Sequence, residues 1–190
     1  MENLATLKIE YSHVDLRFLH YMWKRSPLLT NLSLRGSRAM VCDRINFDSP
    51  HPPPTGPGSA RIQQLKVLDL SHTGRDAIWF LREWVLDNVD CKLKRLYLER
   101  CPVPPFVAHH VTPTIEFVSI AGSDPLSTPY AMMDLRAWAR LSSIKKINAS
   151  GGDHRLMNET NRDTLVRQHP NIVFDLSEDF RVPPLFLKCV

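Results

Sequence analysis

One spacing of aliphatic residues returns along this chain and limits what it can fold into. The template is L-x-x-L-x-L-x-x followed by a small or polar residue. Leu4, Leu7, Ile9 and Ser12 fit it, as do Leu29, Leu32, Leu34 and Ser37. Leu65, Leu68, Leu70 and Thr73 form a third copy, and Leu93, Leu96, Leu98 and Cys101 a fourth. Ile115, Val118, Ile120 and Ser123 follow. Ile144, Ile147, Ala149 and Gly152 make a weaker sixth copy, and a degenerate seventh lies around Phe174 and Leu176. The first six start at 4, 29, 65, 93, 115 and 144, at intervals of 25, 36, 28, 22 and 29 residues. All but one interval lie close to the ~20–29 residue period at which one supersecondary unit stacks on the next.

Alternation along a strand explains the template. Each L-x-L centre predicts a short strand whose leucines point into a core, with the residues between them on the opposite face. The ninth position takes a side chain that can turn the chain and satisfy backbone groups. Stacked copies predict one parallel sheet with a rung every ~4.8 Å.

The segments between the strands read as helices. Residues 14–25 place Phe18, Leu19 and Met22 on one face, and residues 76–87 do so with Ile78, Leu81 and Val85. Residues 130–141 and 161–169 are similar, and Pro27 and Pro170 follow helix ends. Trp23, Trp79, Trp84 and Trp138 fall on these helices and are expected to pack between neighbours, not to hold a cofactor. The long interval comes from residues 49–60, SPHPPPTGPGSA, a Pro/Gly-rich stretch expected to be a surface insertion.

The stretches LLTNLSLRGS, LKVLDLSHTG and LKRLYLERC resemble leucine-rich repeats of the ribonuclease-inhibitor-like and F-box-associated kinds. The resemblance runs from Leu4 to about Asp179. It implies an α/β fold, a leucine-rich-repeat solenoid or horseshoe with a parallel sheet on its concave face and helices on its convex face. The expected organisation is a domain over 1–180 with about six to seven repeats, then a tail or cap over 181–190. In the F-box family the repeats recruit a substrate while an F-box docks on a ubiquitin-ligase scaffold. Residues 1–3 hold neither an F-box nor a capping element, so a polar first repeat, a partner or a missing domain is expected to cover that edge of the core.

Chemistry-bearing constellations are sparse. The Gly56-Pro57-Gly58 stretch precedes no phosphate-binding lysine. His109 and His110 have no ligand-spaced Cys or carboxylate beside them and read as a loop or helix-end pair. Asp69, Ser71 and His72 crowd one strand, whereas triads assemble from residues distant in sequence. The expectation is a non-enzymatic protein with no cofactor and no metal.

Binding is expected on the open face of the sheet. Its third template column holds Thr6, Asn31, Val67, Arg95, Phe117 and Lys146. The fifth holds Lys8, Ser33, Asp69, Tyr97, Ser119 and Asn148, and the seventh Glu10, Arg35, Ser71, Glu99, Ala121 and Ser150. Aromatic residues and arginine are enriched in binding hot spots. Arg95, Tyr97 and Phe117 with Val67 are therefore the candidate anchor, and Asp69, Glu99 and Lys146 complete the patch. Two readings stand: an exposed partner site with a polar rim, or an aromatic cluster covered internally.

A protein-interaction scaffold is the first functional reading, acting in substrate recognition with ubiquitin-ligase components. A structural subunit or assembly factor of a large complex is the second. RNA or nucleotide sensing is weaker, because 24 basic against 20 acidic residues leave only +4 and no dense basic stripe. No apolar run reaches the roughly 18–20 residues that span a bilayer. The first residues lack the layout of a signal peptide, and four scattered cysteines show no disulfide framework. A reducing cytoplasmic or nuclear location is expected.

Overall fold

The computed structural model describes residues 3–40, 64–77, 80–81, 91–102, 107–123, 131–151 and 159–177. Their architecture is α/β: an open, seven-stranded parallel sheet with helices in the connections. The elements in chain order are β1 (Thr6–Lys8), β2 (His13–Asp15), α1 (Leu16–Arg25), β3 (Asn31–Ser33) and β4 (Arg38–Met40). Then come β5 (Val67–Asp69), β6 (Arg95–Tyr97), α2 (Val107–His110), β7 (Phe117–Ser119) and α3 (Ala131–Ala139). β8 (Lys146–Asn148), α4 (Glu159–Gln168) and β9 (Val173–Asp175) complete the described order.

The strands of the main sheet lie side by side in chain order, β1-β3-β5-β6-β7-β8-β9. Leu7, Leu32, Leu68, Leu96, Val118, Ile147 and Phe174 are successive partners. The register is therefore the one predicted by aligning the copies, and the degenerate seventh copy supplies the last strand. Leu32, Leu68, Leu96, Val118 and Ile147 have no exposed surface, while Leu7 and Phe174, on the edge strands, remain partly exposed. A fully buried aliphatic side chain contributes ~1.5–3 kcal/mol, so a row of them explains why such short strands persist.

The backbone ladder extends past the strands. The sixth-position amides of Leu34, Leu70, Leu98 and Ile120 donate to the carbonyls of Asp69, Tyr97, Ser119 and Asn148 on the next strand. The eighth-position amides of Gly36, His72, Arg100 and Gly122 donate to Ser71, Glu99, Ala121 and Ser150. That eighth position takes a left-handed conformation in every copy with a described turn: Tyr11, Gly36, His72, Arg100, Gly122 and Gly151 all have φ between +52° and +67°. Glycine adopts this freely and other residues at a cost. At Gly36 a Cβ would also run into the Tyr11 ring, which would have to shift to admit it.

The ninth position then acts as the template suggests. Ser37 Oγ donates to Ile9 O at 2.8 Å, Cys101 Sγ to Leu70 O at 3.1 Å and Ser123 Oγ to Leu98 O at 3.1 Å. Each ties its turn to the preceding copy. Thr73 Oγ1 instead closes its own turn on Leu70 O at 2.6 Å.

Several helical expectations need adjustment. α1 begins at Leu16, because His13–Asp15 pairs in parallel with Arg38–Met40 as a separate two-stranded sheet. Leu19 and Met22 are buried, whereas Phe18 is 46% exposed. One residue before Leu19 is about 100° around the helix, which puts Phe18 on the flank. Trp138 on α3 is buried as expected. In the second predicted helix, residues 76–77 and 80–81 are helical, and Ala77, Phe80 and Leu81 are buried. Ile78, Trp79, Trp84, Val85, the insertion at 49–60 and the tail at 181–190 lie outside the described residues, as does the side chain of Trp23. No helix among the described residues is long and apolar enough to cross a membrane.

Candidate functional site on the open sheet face

The three outward columns assemble as aligned but differ in accessibility. In the third column Arg95 and Lys146 are exposed, and Val67 and Phe117 between and beside them are half-buried. The register places Val67, Arg95, Phe117 and Lys146 on four successive strands, β5 to β8. The fifth column is closed from β3 to β8, where Ser33, Asp69, Tyr97, Ser119 and Asn148 are all buried, and Lys8 on β1 is half-buried. So are Ser71, Glu99, Ala121 and Ser150 in the seventh.

This corrects the expected patch. Tyr97 is 2% exposed, Asp69 1% and Glu99 0%, so none of the three is part of an accessible anchor or its rim. Tyr97 packs beneath Phe117, with ring centroids 5.2 Å apart and planes inclined by 51°. That geometry suits the aromatic quadrupoles. The Tyr97 hydroxyl also hydrogen-bonds Arg95, while burial pushes its pKa up. Tyr97 thus supports the two side chains that remain accessible above it. Of the predicted residues, the structure brings Val67, Arg95, Phe117 and Lys146 together at the surface.

Asp69 and Glu99 belong instead to an internal ionic seam centred on Arg35. Arg35 Nη1 lies 3.5 Å from Asp69 Oδ2, and Nη2 lies 3.1 Å from Glu99 Oε2. Asp69 Oδ1 accepts the Ser71 amide at 2.9 Å, and Glu99 Oε1 accepts the Ser119 hydroxyl at 2.9 Å. Asn148 Nδ2 donates in turn to Ser119 Oγ at 3.2 Å. At the other end Ser33 donates to Glu10 Oε1 at 2.8 Å. Polar links therefore cross the sheet from the first copy to the sixth.

Burial dominates the charge states. It pushes the Asp69 carboxyl up, and hydrogen bonds from Ser71 and the Arg35 charge only partly offset it. Glu99 is raised for the same reason, against Ser119 and Arg35. Burial opposes the charge on Arg35, but Asp69 and Glu99 outweigh it and raise the guanidinium pKa. His72 is lowered by burial and by the positive charges of Arg35 and Arg100. A neutral His72 lets Nε2 accept from Arg35 Nη2 at 3.1 Å.

The Asp69, Ser71 and His72 grouping is thus a set of structural contacts. Ser71 Oγ is buried and accepts the Glu99 amide at 3.2 Å. Cys101 is buried, with its thiol pKa raised by desolvation. His109 and His110 are exposed at the end of α2. Among the described residues no group of three or more His, Cys, Asp or Glu could hold a metal ion.

The alignment of copies contained the signal for the seam. Arg35, Ser71 and Glu99 are neighbours in one column, with Asp69 beside them in the next. The long guanidinium reaches Asp69 on the adjacent strand and, across Ser71, Glu99 one copy further on, so these charges satisfy each other before they face a partner. The chain matches no protein-family model and no curated protein.

Proposed function

We propose that the chain is a leucine-rich-repeat solenoid acting as a non-enzymatic protein-interaction scaffold in the cytosol or nucleus. Val67, Arg95, Phe117 and Lys146 form its partner-binding row, and the role is client recognition in a ubiquitin-ligase complex. One observation carries the reading: the strand register sets an apolar pair and two exposed cations on consecutive strands, with a buried Tyr97 packed against Phe117 and hydrogen-bonded to Arg95. A rigid aromatic centre with a charged surround is the composition of a binding hot spot. The in-order parallel sheet and its repeated turn support the solenoid.

Affinity purification of the wild-type chain and a Phe117→Ala variant tests the proposal. The wild type is expected to recover a client together with cullin-type scaffold subunits. Phe117→Ala is expected to weaken client binding by more than ~1 kcal/mol while keeping its thermal melting transition, since Phe117 is not a core residue. Unchanged client recovery by the folded variant contradicts the binding row. A stable stoichiometric complex without cullin-type subunits contradicts the ligase role and favours a structural subunit.

A further inference from the structure

The same edge of the sheet carries a charge imbalance that specifies a partner chemistry. Immediately before the strands, Lys66, Lys94, Glu116 and Lys145 form a column of their own. The Lys94 amide donates to Lys66 O, Glu116 to Lys94 O and Lys145 to Glu116 O. With Arg95 and Lys146 one position further on, five cations share this edge with one carboxylate among its described residues. Glu116 already bridges Lys94 at 2.8 Å and Lys145 at 2.7 Å, which draws its pKa down to about 2. It organises the lysines without neutralising the patch. The Lys145 side chain remains 72% exposed and that of Lys94 45%. Asp69 on β5 and Glu99, two residues past the end of β6, are turned into Arg35. Asp175, beyond Lys146, is held by Ser177.

Resting on the scaffold reading, we propose that this edge binds an extended acidic peptide segment with an apolar residue flanked by carboxylates. The apolar residue meets Phe117, and the flanking acids meet Arg95 and Lys146 on the strands to either side, with the lysine column beside them. The dimensions agree. From β5 to β8 is three strand spacings, ~14 Å, which an extended chain crosses in roughly four residues. A nucleic acid also offers negative charge, but strand-binding surfaces present successive aromatic platforms to bases. Here Phe117 is a single half-buried ring already packed on Tyr97.

The test uses fluorescence anisotropy on the whole chain with a short labelled peptide whose central leucine is flanked on both sides by glutamates. A version with glutamines and a single-stranded oligouridylate serve as competitors. Saturable binding of the glutamate peptide is expected, weakened roughly fivefold or more by Arg95→Glu, Lys146→Glu or Phe117→Ala. Melting temperatures are read alongside, and these surface positions should leave them unchanged. Absence of saturable binding, equal binding of the glutamine peptide, or tighter binding of the oligonucleotide overturns the inference. Such a result with a Phe117-dependent client still captured removes only the acidic chemistry; loss of that Phe117 dependence removes the scaffold reading itself.

Discussion

Arg35→Ala is expected to lower stability by about 3–5 kcal/mol at neutral pH, the cost of leaving buried charge without its counter-ion. For a chain of this size that corresponds to a fall in melting temperature of roughly 6–20 °C. Asp69 and Glu99 both lean on the one guanidinium, and neither can recover water in place of it. Lys at this position rescues poorly, because a single ammonium cannot reproduce two directed contacts. The triple change Arg35→Met, Asp69→Asn and Glu99→Gln should recover much of the loss, since it removes the charges together with their partner.

The effect has a pH signature whose sign follows from the raised carboxyl values. Asp69 and Glu99 bind protons more tightly when folded than unfolded. Their contribution to stability is therefore fully present below the unfolded values near 4 and is lost as pH rises through the folded ones. Asp69→Asn should flatten the fall of stability above about pH 4. The Arg35→Ala penalty should shrink under the same acidic conditions, where both carboxyls are neutral. Thermal melting across the acidic range checks both. A penalty independent of pH would show that Arg35 stabilises by packing and not by charge.

Leu96→Ala is expected to cost about 2–5 kcal/mol, the usual range for truncating a buried leucine in a packed interior. Leu96 lies on a central strand, has no exposed surface and sits between Leu68 and Val118. The same truncation at Leu7 should cost clearly less, because β1 is an edge strand among the described residues and Leu7 keeps part of its surface. In a stack where each unit contacts its neighbours, position along the stack sets the cost. Urea unfolding midpoints of the two variants give the comparison, and an equal cost at both positions argues against the stack.

The strand pattern was legible because it rests on spacing alone. Leu68, Leu96 and Val118 are buried in register since a period of two within the repeated L-x-x-L-x-L template leaves no other alignment. The turn chemistry was half legible. Ser37, Cys101 and Ser123 stood out as small residues, but Tyr11, His72 and Arg100 do not announce a left-handed backbone, which the ladder imposes on them. The patch was the least legible part. Column membership places Tyr97 and Glu99 on the open face and puts Arg35 within reach of Glu99, yet does not show which of these side chains stay accessible. Tyr97 is covered and packs on Phe117, and Glu99 prefers Arg35 to solvent. The β2–β4 pair was missed because three-residue segments such as His13–Asp15 carry no periodicity.

Residue-resolved amide hydrogen exchange tests the repeated ladder most directly. The slowest amides should recur at matched template positions in successive copies: Leu34, Leu70, Leu98 and Ile120 at the sixth, and Gly36, His72, Arg100 and Gly122 at the eighth. Each donates to the next copy, so protection should return with the copy spacing and continue past the strand ends. Protection that ignores these positions, or that stops at the three-residue strands and leaves the eighth-position amides in fast exchange, would contradict the ladder.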